Sequence, residues 1–440
     1  MTTESTSTPS HPSGLPGHSS SSGPGSLASH FPNRELALSS LAVHADDYIN
    51  SHRAVAPPLH TSTTFRYNDN PDLLRSWDNA DPAAPFDSHV YSRATAPNTT
   101  RLEALLSALL GGPAITYASG LAAFHALLVF LNPRRVAISG GYHGCHGVVR
   151  LMSKLTGLEQ LELEDPAQLA LLKPGDVIHV ETPLNPTGEA RDLEHYARRA
   201  RELGCYLTVD ATFAPPPLLD PFRFGADVIM HSGTKYIGGH SDMLCGVLAV
   251  RPDRARDDGW AKGLLDERVF LGSVMGSLEG WLGVRSLRTL EVRVERQSHS
   301  ATQLVAWLDA ETRRDGQDGG GVVARLVDKV QHASLQPEAA VEGSWLRRQM
   351  PRGWGPVFTI VMKRDDDARR LPSKLHLFHH ATSLGGVESL IEWRAMSDTS
   401  MAKTVLRVSI GVEAWEDLRE DLLQGFKALL GENSTFSETS

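Results

Sequence analysis

Between residues 176 and 232 the chain alternates short apolar runs with an amphipathic stretch, and this alternation limits the fold more than any other feature of its 440 residues. "DVIHVE" (176–181), "CYLTVD" (205–210) and "ADVIMHS" (226–232) each read as a strand. Between the first two, "RDLEHYARRARELG" puts Leu193, Tyr196, Ala197, Ala200 and Leu203 on one helical face, and Gly204 stops the helix. Strand, helix, strand in this order predicts an α/β protein with a mostly parallel sheet. Parallel neighbours need a crossover, and the crossover helices cover both faces. Ligands of such sheets gather at the carboxyl ends of the strands. Asp210 ends one strand, and Lys235 lies just past the end of the next, in "HSGTKYIGGHSD" (231–242). Alone, either residue is ordinary: a turn cap, or a solvated amine. Together, at corresponding strand ends, they favour a site.

Composition narrows the class of function. A net charge of −9 argues against nucleic acid, which needs a basic face, and 41% hydrophobic residues suffice for a sizeable core. No apolar run is long enough to span a bilayer. Three separate cysteines, Cys145, Cys205 and Cys245, fit a reducing compartment better than a disulfide framework. There is no apolar secretory core, and the first arginine is Arg34, so a cytoplasmic location is expected. Residues 1–33 and 433–440 read as polar, disordered tails, and "RRDGQDGGG" (313–321) as a surface loop.

A lysine amine attacks a carbonyl only when neutral, and a Schiff base serves that need. A cofactor that uses both a lysine imine and a strand-end carboxylate is pyridoxal 5'-phosphate (PLP), whose ring nitrogen an anionic aspartate keeps protonated. PLP makes further demands. Its phosphate needs amides at a helix N-terminus, and "YASGLAAFHALLVFL" (117–131) offers Ser119, Gly120 and Leu121 at such a start. Ser232 and Thr234 flank the lysine and supply hydroxyls. Tyr142, in the glycine-rich loop "GGYHGCHG", supplies a flat ring for stacking.

The residues then match a known family. "SGTKYIGGHSD" resembles the lysine motif of the Cys/Met-metabolism PLP enzymes, the trans-sulfuration family. Further segments resemble other blocks of the family, in its order from about residue 43 to 425: "APPLHTSTTF" its N-terminal arm, "VYSRATAPNTTRLEALLSALLGG" its Tyr-x-Arg segment, and "YASGLAA", "ETPLNPTG", "VDATFAPP", "WLGVRSLRTLEVRVERQ", "SLGGVESLIEW" and "LRVSIGVE" a block each. The resemblance implies PLP fold type I: a large domain with a mostly parallel sheet and a smaller α+β C-terminal domain. The divisions expected are an N-terminal arm (34–95), a large PLP-binding domain (96–290) and a C-terminal domain (291–432). The resemblance further implies that Lys235 carries the cofactor and shuttles protons, and that Asp210 pairs with the ring nitrogen. Tyr142 stacks on the ring and deprotonates the incoming amine. Ser119, Gly120, Leu121, Ser232 and Thr234 hold the phosphate, and Tyr91 and Arg93 reach it from a neighbouring subunit of a homodimer or homotetramer. Arg407 clamps the substrate carboxylate, helped by Asn185 and Ser383.

Some positions depart from the family pattern. Ala211 stands where asparagine is usual after the aspartate, and Pro215–Pro217 follow. His143 replaces a glycine, and Trp393 and Arg394 stand where the family often has histidine or proline. The activity implied is γ-elimination or γ-replacement on cystathionine or an O-acyl-homoserine. The alternatives are β-lyase or methionine γ-lyase chemistry, a relative that adds a carbon or nitrogen nucleophile, or, from another class, a PLP-binding protein without turnover. His143, Cys145 and His146 lie close enough to suggest a metal, but in a flexible loop without a second ligand pair, so no metal is expected. "HLFHH" (376–380) reads as a solvated or half-buried helix face, and the glycines of 140–147 miss the dinucleotide fingerprint.

Overall fold

The computed structural model describes residues 36–49, 54–74, 76, 89–314 and 321–437. The tail expected over 1–33 and most of the 313–321 loop lie outside the described residues. Seven strands form the larger sheet: β1 (Ala114–Tyr117), β2 (Arg135–Ala137), β3 (Glu159–Leu161), β4 (Val177–Glu181), β5 (Tyr206–Asp210), β6 (Val228–Ser232) and β7 (Gly246–Val250). Their order is β1-β7-β6-β5-β4-β2-β3. All neighbours are parallel except β7, which runs antiparallel to both β1 and β6.

Side chains alternate across this sheet, as the two-residue period of a strand requires. Val177, Val228, Met230, Leu248 and Val250 join one apolar cluster with α1 (Gly120–Leu131) and α2 (His143–Thr156). Ile178, Val180, Leu207, Val209, Ile229, Val247 and Ala249 join another with α3 (Leu193–Leu203), α4 (Ser277–Leu287) and the start of α5 (Leu290–Thr312). Both faces are therefore covered, and the strands read as nearly unbroken apolar runs for that reason. Helix α3 buries Leu193, Tyr196, Ala197 and Ala200 and ends at Gly204, whose φ of 68° is left-handed.

The second sheet follows the order β10-β11-β12-β9-β8, built from β8 (Val327–Gln331), β9 (Val357–Met362), β10 (His379–His380), β11 (Leu390–Trp393) and β12 (Val405–Ser409). Only the β10–β11 pair is parallel. Its core joins Phe358, Ile360, Ile391, Leu406 and Val408 to Ala301, Leu304 and Leu308 of α5 and to Leu418, Leu422 and Phe426 of α6 (Trp415–Ser437). Ala333, Ala339, Leu346, Met350 and Val357 pack instead with the larger cluster, so the two layers share a seam.

Three local expectations need correction. His376–His380 is no helix. Asp421 accepts from the backbone N–H groups of His376 and Leu377 at 2.7–3.0 Å, and the chain then enters the short edge strand β10. The segment of His143, Cys145 and His146 is no loop but the first turns of α2. The backbone of 433–437 is not an irregular tail, because α6 runs through Ser437. Extending an established helix costs little per residue, even for polar side chains.

Candidate active site

The parallel strands β4, β5 and β6 bring Glu181, Asp210 and Ser232 to one edge of the sheet. In register, Glu181 faces Asp210, while Ser232 and Tyr117 face Gly246 from either side of β7. The loops that follow β1, β2, β4, β5 and β6 help to line a cavity of about 440 Å³. Of the residues expected at the site, Ser119, Gly120, Leu121, Tyr142, Asn185, Asp210, Ser232, Thr234, Lys235, Ser383 and Arg407 all line it. Tyr91 and Arg93 do not. They lie exposed on the N-terminal arm, with the Arg93 guanidinium 5.4 Å from the Tyr91 ring centre.

Ser119 caps α1, its Oγ accepting from the N–H of Ala122 at 3.1 Å. The N–H groups of Gly120 and Leu121 donate to no group among the described residues, which leaves a helix N-terminus with unmet donors facing the cavity. A side chain at 120 would press within 3.0 Å of Ser232 Cβ, so only glycine lets the helix end approach β6 this closely. Thr234 lines the same cavity, but its hydroxyl is engaged with the backbone of Cys245. Tyr142 precedes α2, and a Cβ at Gly144 would lie 2.5 Å from its ring. Burial raises the Tyr142 phenol above its ordinary pKa, with Arg394 and Arg407 pulling it back.

The Lys235 amine donates to Ser383 Oγ at 2.8 Å. Burial and the nearby Arg407 lower its pKa to about 8, against the pull of Glu392. Asp210 is buried, and its Oδ1 accepts from Thr212 N–H at 3.0 Å and from Thr212 Oγ1 at 2.5 Å. Thr212 in turn accepts from the N–H of Ser232 at 2.8 Å, linking β5 to β6. Burial pushes the Asp210 carboxyl up, opposed by those hydrogen bonds. Beside it, burial and the charge of Asp210 push Glu181 up as well, although Glu181 accepts from the amides of Tyr142 and Asn185 at 2.7 Å each. Neither carboxyl has a salt-bridge partner among the described residues, so the pair could accept a proton-bearing ring nitrogen.

Glu181 and Thr212 were not singled out in the sequence, although Glu181 ends β4 as Asp210 ends β5 and so carried the same strand-end signal. Glu392 was missed for lack of any local signal. Its role depends on β11–β12 pairing, where it lies opposite Arg407. Arg407 Nη2 donates to Glu392 Oε2 at 2.5 Å and to the Ser383 carbonyl at 2.9 Å, and Nη1 reaches Asn185 Oδ1 at 3.3 Å. His146 is taken up by the Gly140 carbonyl and Gln160. Cys145 groups instead with His179 and Asp210, their ligand atoms within 4.8 Å of one another.

Residues 39–427 match the family of Cys/Met metabolism PLP-dependent enzymes. The chain belongs to this family. It is similar to a cystathionine gamma-lyase of Saccharomyces cerevisiae, 30% identical over 88% of this chain and 96% of the relative. It is also similar to a cystathionine gamma-synthase of Escherichia coli, 32% identical over 85% of this chain and 93% of the relative. Among solved structures, metB from Corynebacterium glutamicum superposes with a TM-score of 0.77 at 28% identity, covering 90% of this chain and 98% of that one. The fold is PLP fold type I, the cofactor is pyridoxal 5'-phosphate, and the protein is an enzyme of the trans-sulfuration family. The residues present fit that group: a buried amine of lowered pKa, a buried carboxyl pair with no salt-bridge partner among the described residues, and two unmet amides at a helix start. Among the described residues no helix is long and apolar enough to cross a membrane.

Proposed function

We propose that this enzyme carries out γ-elimination or γ-replacement on cystathionine or an O-acyl-homoserine. The observation that carries the reading is the convergence of Lys235, Asp210 and Arg407 on one cavity, in a chain whose relatives include a cystathionine gamma-lyase and a cystathionine gamma-synthase. When bound, PLP supplies an electron sink for the pair left at the substrate α-carbon as a bond there breaks.

The chain's own residues do the rest. Asp210, held by Thr212, would keep the ring nitrogen protonated. Ser119, Gly120, Leu121, Ser232 and Thr234 would hold the phosphate, and Tyr142 would cover the ring. Arg407, with Asn185 and Ser383, would fix the substrate carboxylate and hence the bond that lies over the ring. Lys235 Nζ, released from its covalent role, would take the α-proton and move it, with the Ser383 hydroxyl 2.8 Å away in this structure to orient the amine. Tyr91 and Arg93 would complete the phosphate site of a second copy, which makes a homodimer the smallest active unit. Three free, buried cysteines fit the cytoplasmic location of the same reading.

The test is a substrate panel on the purified holoenzyme: cystathionine, O-acetylhomoserine with and without cysteine, and methionine. The proposal expects 2-oxobutanoate with ammonia, or a new thioether, from a γ-substituted substrate. Pyruvate alone from cystathionine would assign β-elimination instead, as in a cystathionine beta-lyase of Bacillus subtilis that is 29% identical.

A further inference from the structure

The cavity wall formed by the second sheet holds a charge arrangement that the reading above leaves unused. Glu392 Oε2 accepts from two guanidinium groups: Arg407 Nη2 at 2.5 Å and Arg394 Nη1 at 2.9 Å. All three residues are buried, with Arg394 and Glu392 each 3% exposed and Arg407 5%. Arg394 lines the cavity beside Tyr142 and Arg407, and its Nη1 also donates to Ser397 Oγ at 2.9 Å. Its Nε is buried with no hydrogen-bond partner. Among the described residues, the other acidic group in reach is Asp398, 4.0 Å from Arg394 Nη2 and 3.9 Å from His143.

Arg407 and Glu392 alone form a neutral pair. Such a pair attracts an anion weakly, because the carboxylate cancels most of the field of the guanidinium it holds. A second guanidinium on the same carboxylate divides the hold of Glu392 between two arginines, and Asp398, at 4.0 Å from Arg394 Nη2 and further from Arg394 than Glu392 is, offsets Arg394 only in part. We infer that Arg394 is a positioning residue for substrate binding: it offsets Glu392, so that Arg407 is both held in place and left electropositive toward the amino-acid carboxylate. Glu392 thereby fixes Arg407 Nη2, while Nη1 keeps only the longer contact to Asn185. The Arg407 guanidinium feels both neighbours: burial pushes it down, to about 10, Glu392 pulls it up, and Arg394 pushes it down. The inference rests on the reading that Arg407 receives the substrate carboxylate.

The experiment titrates full-length holoenzyme with L-norleucine, which has no group to expel, and with L-norleucinamide, which lacks the carboxylate. Binding is followed by the change in the cofactor's visible absorption. Arg394→Gln should weaken norleucine binding by about tenfold or more, and weaken the amide distinctly less. With a turned-over substrate, KM should rise more than kcat falls. The double variant Glu392→Gln/Arg394→Gln removes both charges and should return norleucine binding to within about threefold of the unmodified enzyme. An unchanged norleucine affinity in Arg394→Gln, or a double variant as weak as the single one, overturns the inference. If Arg394→Gln does not hold cofactor, the double variant decides alone: binding restored to that range supports the inference, and a loss of about tenfold overturns it. Arg407→Gln separates the two layers. If it leaves norleucine affinity unchanged, the reading of Arg407 falls and the inference falls with it. If it weakens binding while Arg394→Gln does not, the inference alone falls.

Discussion

Lys235 differs from a surface lysine in what surrounds its amine. It shares one cavity with Tyr142, Asp210, Ser383 and Arg407, and burial together with the Arg407 charge brings its pKa from the ordinary 10.5 to about 8. A lowered pKa on a base means that the neutral, nucleophilic form is available above pH 8 instead of only above pH 10.5. The rate at which the cofactor-free enzyme takes up PLP, read from the growth of visible absorption, should therefore climb with pH to a midpoint near 8. A midpoint beyond about 10 would mean that the amine is solvated like an exposed lysine. The position of Lys235 was legible in the sequence because its motif is local. Of the two charged residues that tune it, Arg407 was named through the family resemblance, whereas Glu392 was not, since it comes to Arg407 only through pairing of β11 with β12.

The element that brings the second sheet to the lysine is the loop after β10. Ser383 has a left-handed backbone at φ 77°, and Gly385 another at φ 83°. A Cβ at Gly385 would lie 2.9 Å from the Lys235 carbonyl carbon and from the Tyr236 nitrogen. The loop is pinned from several sides: Ser383 O accepts from Arg407, Gly385 N–H donates to Ser409 Oγ at 3.1 Å, and Gly386 O accepts from Gln297 at 2.6 Å. Gly385→Ala should cost about 1–3 kcal/mol in denaturant unfolding and weaken PLP retention, through combined backbone strain and contact. Unchanged stability and unchanged retention would mean that the loop yields freely. At this scale the strands and α3 were readable, because period-two and helical apolar patterns are short-range signals. The histidines of 376–380 misled because the carboxylate that claims their backbone, Asp421, stands 45 residues further on.

For the molecule as a whole, the larger sheet supplies the buried carboxyls of Glu181 and Asp210 and the lysine, and the second sheet supplies Arg407 and Glu392 on the other side of the cavity. That division follows from topology, since the carboxyl ends of β4, β5 and β6 open toward the second layer. Tyr91 and Arg93 lie away from this cavity, so the proposed assembly places them at a neighbour's site. Mixing Lys235→Ala and Arg93→Ala subunits under exchange conditions should then regain activity that neither variant has alone, because one site of a mixed dimer is intact. No recovery despite proven exchange would return Arg93 to its own chain's chemistry. The covalent assignment is tested most directly by reducing the holoenzyme with borohydride and mapping the peptides by mass spectrometry. The account predicts a single pyridoxyl adduct, on Lys235, and none in Lys235→Ala. An adduct on another lysine, or one that persists in that variant, would contradict it.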